Sequence, residues 1–129
     1  MLKVLLVEDN EFNQMVAIDT LHSHIPGITI ETAVNGKEAF EKVKDNNFDL
    51  VLMDIQMPEM DGYTATQMIR SKLHPPKNSI KIMAMTAGAL KSEVQKCFDA
   101  GMDDYIAKPF DPGALMGKMN DLFNKNNHA

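Results

Sequence analysis

Reactive side chains recur at one kind of place in this chain: the end of a short apolar run. Glu8-Asp9 follow Lys3-Val4-Leu5-Leu6-Val7, and Asp54 follows Leu50-Val51-Leu52-Met53. Thr86 follows Ile80 to Met85, and Lys108 follows Tyr105-Ile106-Ala107. Brought together, these groups are the parts of a phosphoryl-transfer site. A carboxylate attacks in line, while a divalent metal and a lysine neutralise the equatorial oxygens. Asp54 is the candidate nucleophile, since aspartyl phosphates are an established covalent intermediate. Lys108 supplies a point cation and Thr86 a hydroxyl donor. Three carboxylates in one pocket repel, raise at least one pKa and titrate as a coupled set. A hard cation with oxygen ligands, Mg²⁺ or Mn²⁺, relieves that cost. Asp9 and Asp54 are expected as direct ligands, with Glu8 acting through a water and the Gln56 backbone carbonyl completing the set.

Convergence of these residues requires a particular scaffold. The apolar runs alternate with helical patterns. Phe12, Met15, Ile18, Leu21 and Ile25 recur at spacings of three and four, which predicts a first helix. Pro26-Gly27 stops it, Ile28 to Ala33 reads as a second strand, and Asn35-Gly36 as a turn. Ala39, Phe40 and Val43 mark a second helix, and Ala65, Met68 and Ile69 a third beyond the Pro58 to Gly62 loop. Pro75-Pro76 precedes the fourth strand. Leu90, Val94, Cys97 and Phe98 line a fourth helix that Gly101 can cap. Asp111-Pro112 reads as an N-cap and first helical residue, opening a fifth helix through Leu115, Met119, Leu122 and Phe123. Five strand–helix units with short connections predict a doubly wound α/β fold with a parallel sheet covered on both faces. In the strand order 2-1-3-4-5, the first and third strands flank the switch point, where ligands bind at the carboxyl edge. Glu8, Asp9 and Asp54 should meet there.

Taken singly, each residue has an ordinary explanation. A Glu-Asp pair after a strand commonly marks a helix start, and a strand-end Asp, Thr or Lys is unremarkable alone. Their coincidence at one predicted edge carries the reading. His22 and His24 do not share a helical face as metal ligands would, and they read, with His74 and His128, as solvated. Cys97 lies on an apolar stripe and reads as a core thiol, and the eleven methionines as adaptable filling. Pro109 pushes Lys108 toward extended backbone and admits a cis bond.

The 129 residues suit one domain, expected over 1–124 with a polar tail over 125–129. The net charge of −5 and pI near 5.2 argue against direct nucleic-acid binding, which needs a basic footprint. No apolar stretch is long enough to cross a bilayer. Met1 to Val7 runs into Glu8-Asp9 without a cleavage site, so it reads as a strand rather than a signal peptide. One cysteine and no signal peptide make a reducing cytoplasm the expected location.

The segments Val7-Glu8-Asp9-Asn10, Asp54-Ile55-Gln56-Met57-Pro58-Glu59-Met60-Asp61-Gly62, Met85-Thr86-Ala87 and Lys108-Pro109-Phe110 resemble a receiver domain of a two-component response regulator. The resemblance runs from Lys3 to about Phe123. Asn10-Glu11-Phe12-Asn13-Gln14 is also similar to receivers attached to hybrid sensor histidine kinases. The resemblance implies a flavodoxin-like (βα)5 doubly wound sandwich and a signalling switch rather than an enzyme, assisting only its own phosphorylation and dephosphorylation. It implies that Asp54 takes a phosphoryl group from a histidine kinase or a histidine phosphotransfer protein, and that Glu8, Asp9, Asp54 and the Gln56 carbonyl serve Mg²⁺. Thr86 and Lys108 would bind the phosphoryl oxygens, and Tyr105 would move inward with Thr86. The face of helix four, strand five and helix five would then change its affinity for an output partner or a second copy. Gly88 would loosen the loop before helix four. Phe12, Asn13, Val16 and Ala17 are expected to receive the phosphohistidine partner. A stand-alone regulator and a receiver from a longer protein both fit. An FMN-binding module fits less well, because Glu8-Asp9-Asn10-Glu11 would repel a phosphate lacking a metal. An aspartyl-phosphate hydrolase would carry a second Asp where Gln56 stands.

Overall fold

The computed structural model describes residues 2–88, 90–108 and 111–125. The expected Lys108–Pro109 geometry, Phe110 and residues 126–129 of the tail lie outside the described residues. Five strands alternate with five helices. They are β1 (Lys3–Val7), α1 (Glu11–His24), β2 (Thr29–Ala33), α2 (Gly36–Asp45), β3 (Leu50–Asp54), α3 (Gly62–Lys72), β4 (Lys81–Thr86), α4 (Lys91–Ala100), β5 (Asp104–Ala107) and α5 (Pro112–Lys125). A single 3-10 turn, Lys77–Ser79, leads into β4. The sheet has the order β2-β1-β3-β4-β5, and every adjacent pair is parallel.

Two cores form because strand side chains alternate between faces. Leu5, Val7, Val51 and Met53 pack with Ala39, Phe40 and Val43 of α2, Ala65 and Ile69 of α3, and Cys97 of α4. Val4, Leu6, Leu50 and Leu52 point the other way, onto Ala17 and Leu21 of α1 and Leu115, Met119 and Leu122 of α5. Central strands buried on both faces read as unbroken apolar runs, as β3 does.

Helix α1 differs from the expected stripe. Leu21 is buried and Ile18 and Ile25 partly so, but Phe12 is 69% and Met15 62% exposed, while Ala17 is buried. The reason is helical drift. A three-residue step turns an α-helix by about 300°, so consecutive such steps walk around the axis instead of tracing one face. On α4, Cys97 and Ala100 are buried, whereas Phe98 is half exposed and Leu90 lies before the helix as an exposed N-cap without a side-chain bond. Asn35-Gly36 is a helix start rather than a free turn, because the Asn35 side chain accepts from the Glu38 N–H at 2.8 Å. The Asp111 cap is present, its carboxylate accepting from the Ala114 N–H at 2.9 Å. Gly101 closes α4 at φ 105°.

Arg70 ties the far side of the sheet together. Its guanidinium donates to the carbonyls of Asn78, Ile80 and Gly101 at 2.7–2.9 Å and pairs with Asp103 at 3.0 Å. Among the described residues, no helix is long and apolar enough to cross a membrane.

The loop from β3 to α3 is held by close backbone approach. The Gly62 N–H donates to the Ile55 carbonyl at 2.9 Å, and a Cβ at Gly62 would stand 2.3 Å from the Asp54 carbonyl oxygen. Gly62→Ala should therefore lower stability by about 1–3 kcal/mol through overpacking. Gly117, mid-helix with nothing within 4 Å of an added Cβ, should gain about 0.5–1 kcal/mol as alanine. Urea unfolding of the two variants checks both signs.

Candidate functional site

The carboxyl edge of the sheet gathers the expected residues. β1 and β3 are paired with Val7 opposite Met53, so the next residues, Glu8 and Asp54, stand side by side. Asp54 and Thr86 are the last residues of their own strands rather than the first loop residues, which fixes their backbones in the ladder. Ligand oxygens of Glu8, Asp9 and Asp54 lie within 4.8 Å of one another. Lys108 reaches in from the end of β5, its N–H bonded to the Thr86 carbonyl at 2.7 Å. Its Nζ stands 2.6 Å from Glu8 Oε1 and 3.0 Å from Asp54 Oδ2.

Burial sorts the three acids. Glu8 is 2% and Asp54 6% exposed, while Asp9 is exposed. A buried carboxylate needs its lone pairs met. Both Glu8 oxygens are engaged, one by Lys108 and one by the Asn10 N–H at 3.2 Å. Asn10 also caps α1, accepting from the Asn13 N–H at 2.9 Å, and Gln14 Nε2 donates to the Glu8 carbonyl. The first turn of α1 thus braces the acid pair. All three acids line a cavity of about 320 Å³.

Gln56, Thr86 and Lys108 line that cavity with the three acids, and so does Glu93 of α4, which the sequence reading passed over. Tyr105 does not line it. Its half-buried ring meets Phe98 edge-on at 6.5 Å, with the Lys118 ammonium 4.4 Å from its centre. Cys97 is buried, and burial pushes its thiol up. The neighbouring Tyr63 phenol is pushed up to about 12, by burial first and then by Cys97 and Glu93.

Partial desolvation raises the Asp9 pKa even though the residue is exposed overall, and the adjoining Glu8 carboxyl adds to the rise. Burial pulls Lys108 down, but Glu8 and Asp54 outweigh it and hold the ammonium above the ordinary lysine range. Three neighbouring carboxylates that each offer an oxygen to one point are a donor set that fits a hard divalent cation.

A family model for the response regulator receiver domain matches residues 4–120. The chain belongs to that family. It is 46% identical over 110 residues to the hybrid signal transduction histidine kinase G of Dictyostelium discoideum, covering 84% of this chain and 3% of that protein. It is 41% identical over 113 residues to the osmosensing histidine protein kinase SLN1 of Saccharomyces cerevisiae, covering 83% of this chain and 9% of that protein. The chain therefore spans a small fraction of these relatives. A receiver domain of the Pseudomonas aeruginosa sensor histidine kinase PA1611, with magnesium in its active-site cleft, superposes with a TM-score of 0.82 at 36% identity, covering 93% of this chain and 95% of that one. The Ssk1 receiver of Saccharomyces cerevisiae, crystallised with the histidine phosphotransfer protein Ypd1, gives 0.79 at 32% identity, covering 91% and 85%. The flavodoxin-like receiver fold and the two-component family expected from the motifs are both present.

A raised carboxylate pKa means that the folded state favours the protonated form, so ionised Asp9 costs stability above its titration range. Without divalent metal, Asp9→Asn should raise Tm at neutral pH, and the gain should shrink as pH falls. Lys108 has the opposite sense: its contribution is full below the ordinary lysine pKa and is lost as pH rises through its folded value. Lys108→Met strands the Glu8 carboxylate and should lower stability by about 1–3 kcal/mol. Thermal unfolding in chelator reads both, and a destabilised Asp9→Asn would mean that the acids do not repel as described.

Proposed function

We propose that this receiver stores a phosphoryl group on Asp54 as a step in a two-component phosphorelay. The observation that carries the reading is the Asp54 carboxylate flanked by Lys108 at 3.0 Å and by Glu8 and Asp9. An Asp54 oxygen attacks the phosphorus of a phosphohistidine, the phosphorus–nitrogen bond breaks, and the departing imidazole takes up a proton. Lys108 and Thr86 then hold the phosphoryl oxygens. Mg²⁺ or Mn²⁺, held by Asp9, Asp54 and the Gln56 carbonyl with Glu8 behind, would neutralise charge on the transferring group. The chain acts as a switch, and the only reactions it assists are its own phosphorylation and dephosphorylation.

The donor is a histidine kinase or a histidine phosphotransfer protein, docking on α1 beside the cavity. The α1 surface supports this. Phe12, Met15 and Val16 are exposed there, and Phe12, Val16 and Lys108 line an adjoining hollow of about 370 Å³. Apolar side chains placed around a buried reactive group suit a partner that must insert one residue. Readout passes through α4, β5 and α5 to an output partner or a second copy, with Tyr105 following Thr86.

With Mg²⁺ and acetyl phosphate, intact mass should show one phosphoryl adduct on the wild type and none on Asp54→Asn. Mg²⁺ at about ten times its Kd should add about 1.4 kcal/mol of stability by binding the folded state alone, and Asp54→Asn should blunt that gain. No adduct would remove the main support for the reading, and an unchanged Mg²⁺ response in the variant would misassign the metal site. Phe12→Ala with Val16→Ala should slow transfer from a phosphotransfer protein that serves the wild type by roughly tenfold or more, with acetyl phosphate unaffected. Unimpaired protein-to-protein transfer would remove α1 as the docking face.

A further inference from the structure

Thr86 is 2% exposed, and its hydroxyl is already engaged. Its Oγ1 stands 2.8 Å from Glu93 Oε1 and 2.8 Å from the Gly88 carbonyl oxygen, and it accepts from the Gly88 N–H at 3.2 Å. A hydroxyl has one proton, so it donates to one acceptor at a time, and the ionised carboxylate is the stronger of the two. Glu93 sits in the first turn of α4, a helix whose N-cap makes no side-chain bond. Its own carbonyl accepts from the Tyr63 hydroxyl at 3.4 Å. One residue thus links the end of β4, the start of α4 and the side of α3.

Glu93 also adds a fourth carboxylate to a cavity whose only lining ammonium among the described residues is Lys108. A phosphoryl group arriving at Asp54 adds further negative charge. Both the hydrogen bond and the charge of Glu93 therefore oppose the phosphorylated state.

We propose that Glu93 is a positioning residue for the switch: its carboxylate holds the Thr86 hydroxyl in the resting state, and a phosphoryl oxygen on Asp54 must displace it. This rests on the receiver reading above. The exchange frees the Glu93 side chain from the end of β4 and thereby loosens the first turn of α4. Charge at the phosphorylation site is converted into a change at the α4 surface through one competing acceptor. A Glu that only complemented the helix N-terminus would have no stake in the Thr86 hydroxyl.

The test is calorimetric titration of the full chain with beryllofluoride in Mg²⁺. Glu93→Ala should bind roughly ten- to a hundredfold more tightly than wild type, as expected for losing a competing hydrogen bond to a charged acceptor. Glu93→Gln retains an acceptor without the charge and should fall between them. In a Thr86→Ala background, Glu93→Ala should tighten binding far less, because the hydroxyl it competes for is gone. Unchanged or weaker binding by both Glu93 variants overturns the proposal. So does equal tightening with and without Thr86, which would mark a charge or capping effect alone. Failure of the wild type to bind beryllofluoride overturns the receiver reading itself, a different result from failure of the Glu93 variants.

Discussion

The Lys108 ammonium between Glu8 and Asp54 is the interaction on which the site depends. Three acids at one sheet edge repel, and two of them are buried where water cannot screen them. One cation, 2.6 Å from one and 3.0 Å from the other, lets both remain in place. Its position is set from a distance. β5 must pair with β4 so that Lys108 follows Ala107 opposite Thr86, and β4 must pair with β3 so that Asp54 faces Met85. The parallel register is therefore part of the chemistry, because a slip of one residue would turn Asp54 or Thr86 to the wrong face.

Asp54 and Thr86 belong to strands, whereas Asp9, Gln56 and Glu93 belong to the connections or helices around them. Such a division suits a switch. The proposed nucleophile is held by the strand ladder, while Asp9, Gln56 and Glu93 around it sit outside the sheet. The loop before α4 is the extreme case. Gly88 has open space around its missing Cβ, and α4 buries few residues, chiefly Cys97 and Ala100. A lightly anchored helix can respond to a small change at its first turn without disturbing either core.

Much of this was legible in the residues. Strand ends, the order of the sheet and the meeting of Glu8, Asp9, Asp54, Thr86 and Lys108 followed from apolar runs and where they stop. In α1 the spacings of three drift around the axis, so they mark a helix without fixing which residues are buried, and Leu21 is buried while Phe12 and Met15 are exposed. Their exposure matters, since it leaves an apolar surface beside the cavity. Glu93 was passed over because an acid in a first helical turn has an ordinary role, and its contact with Thr86 depends on how the intervening loop folds back. Arg70 was also missed. The signal was present: it is the only arginine among thirteen basic residues, and a fork of donors serving several carbonyls is what lysine cannot supply.

Asp54, and no other member of the acid cluster, is the residue proposed to carry the phosphoryl group. Borohydride reduces an acyl phosphate to an alcohol, leaving homoserine in place of the modified aspartate. After phosphorylation in Mg²⁺ and borohydride treatment, peptide mass mapping should find homoserine at position 54 and unaltered residues at positions 8 and 9. Reduction at Glu8 or Asp9 instead, or no reduced residue in a chain shown to carry phosphate, would contradict the account.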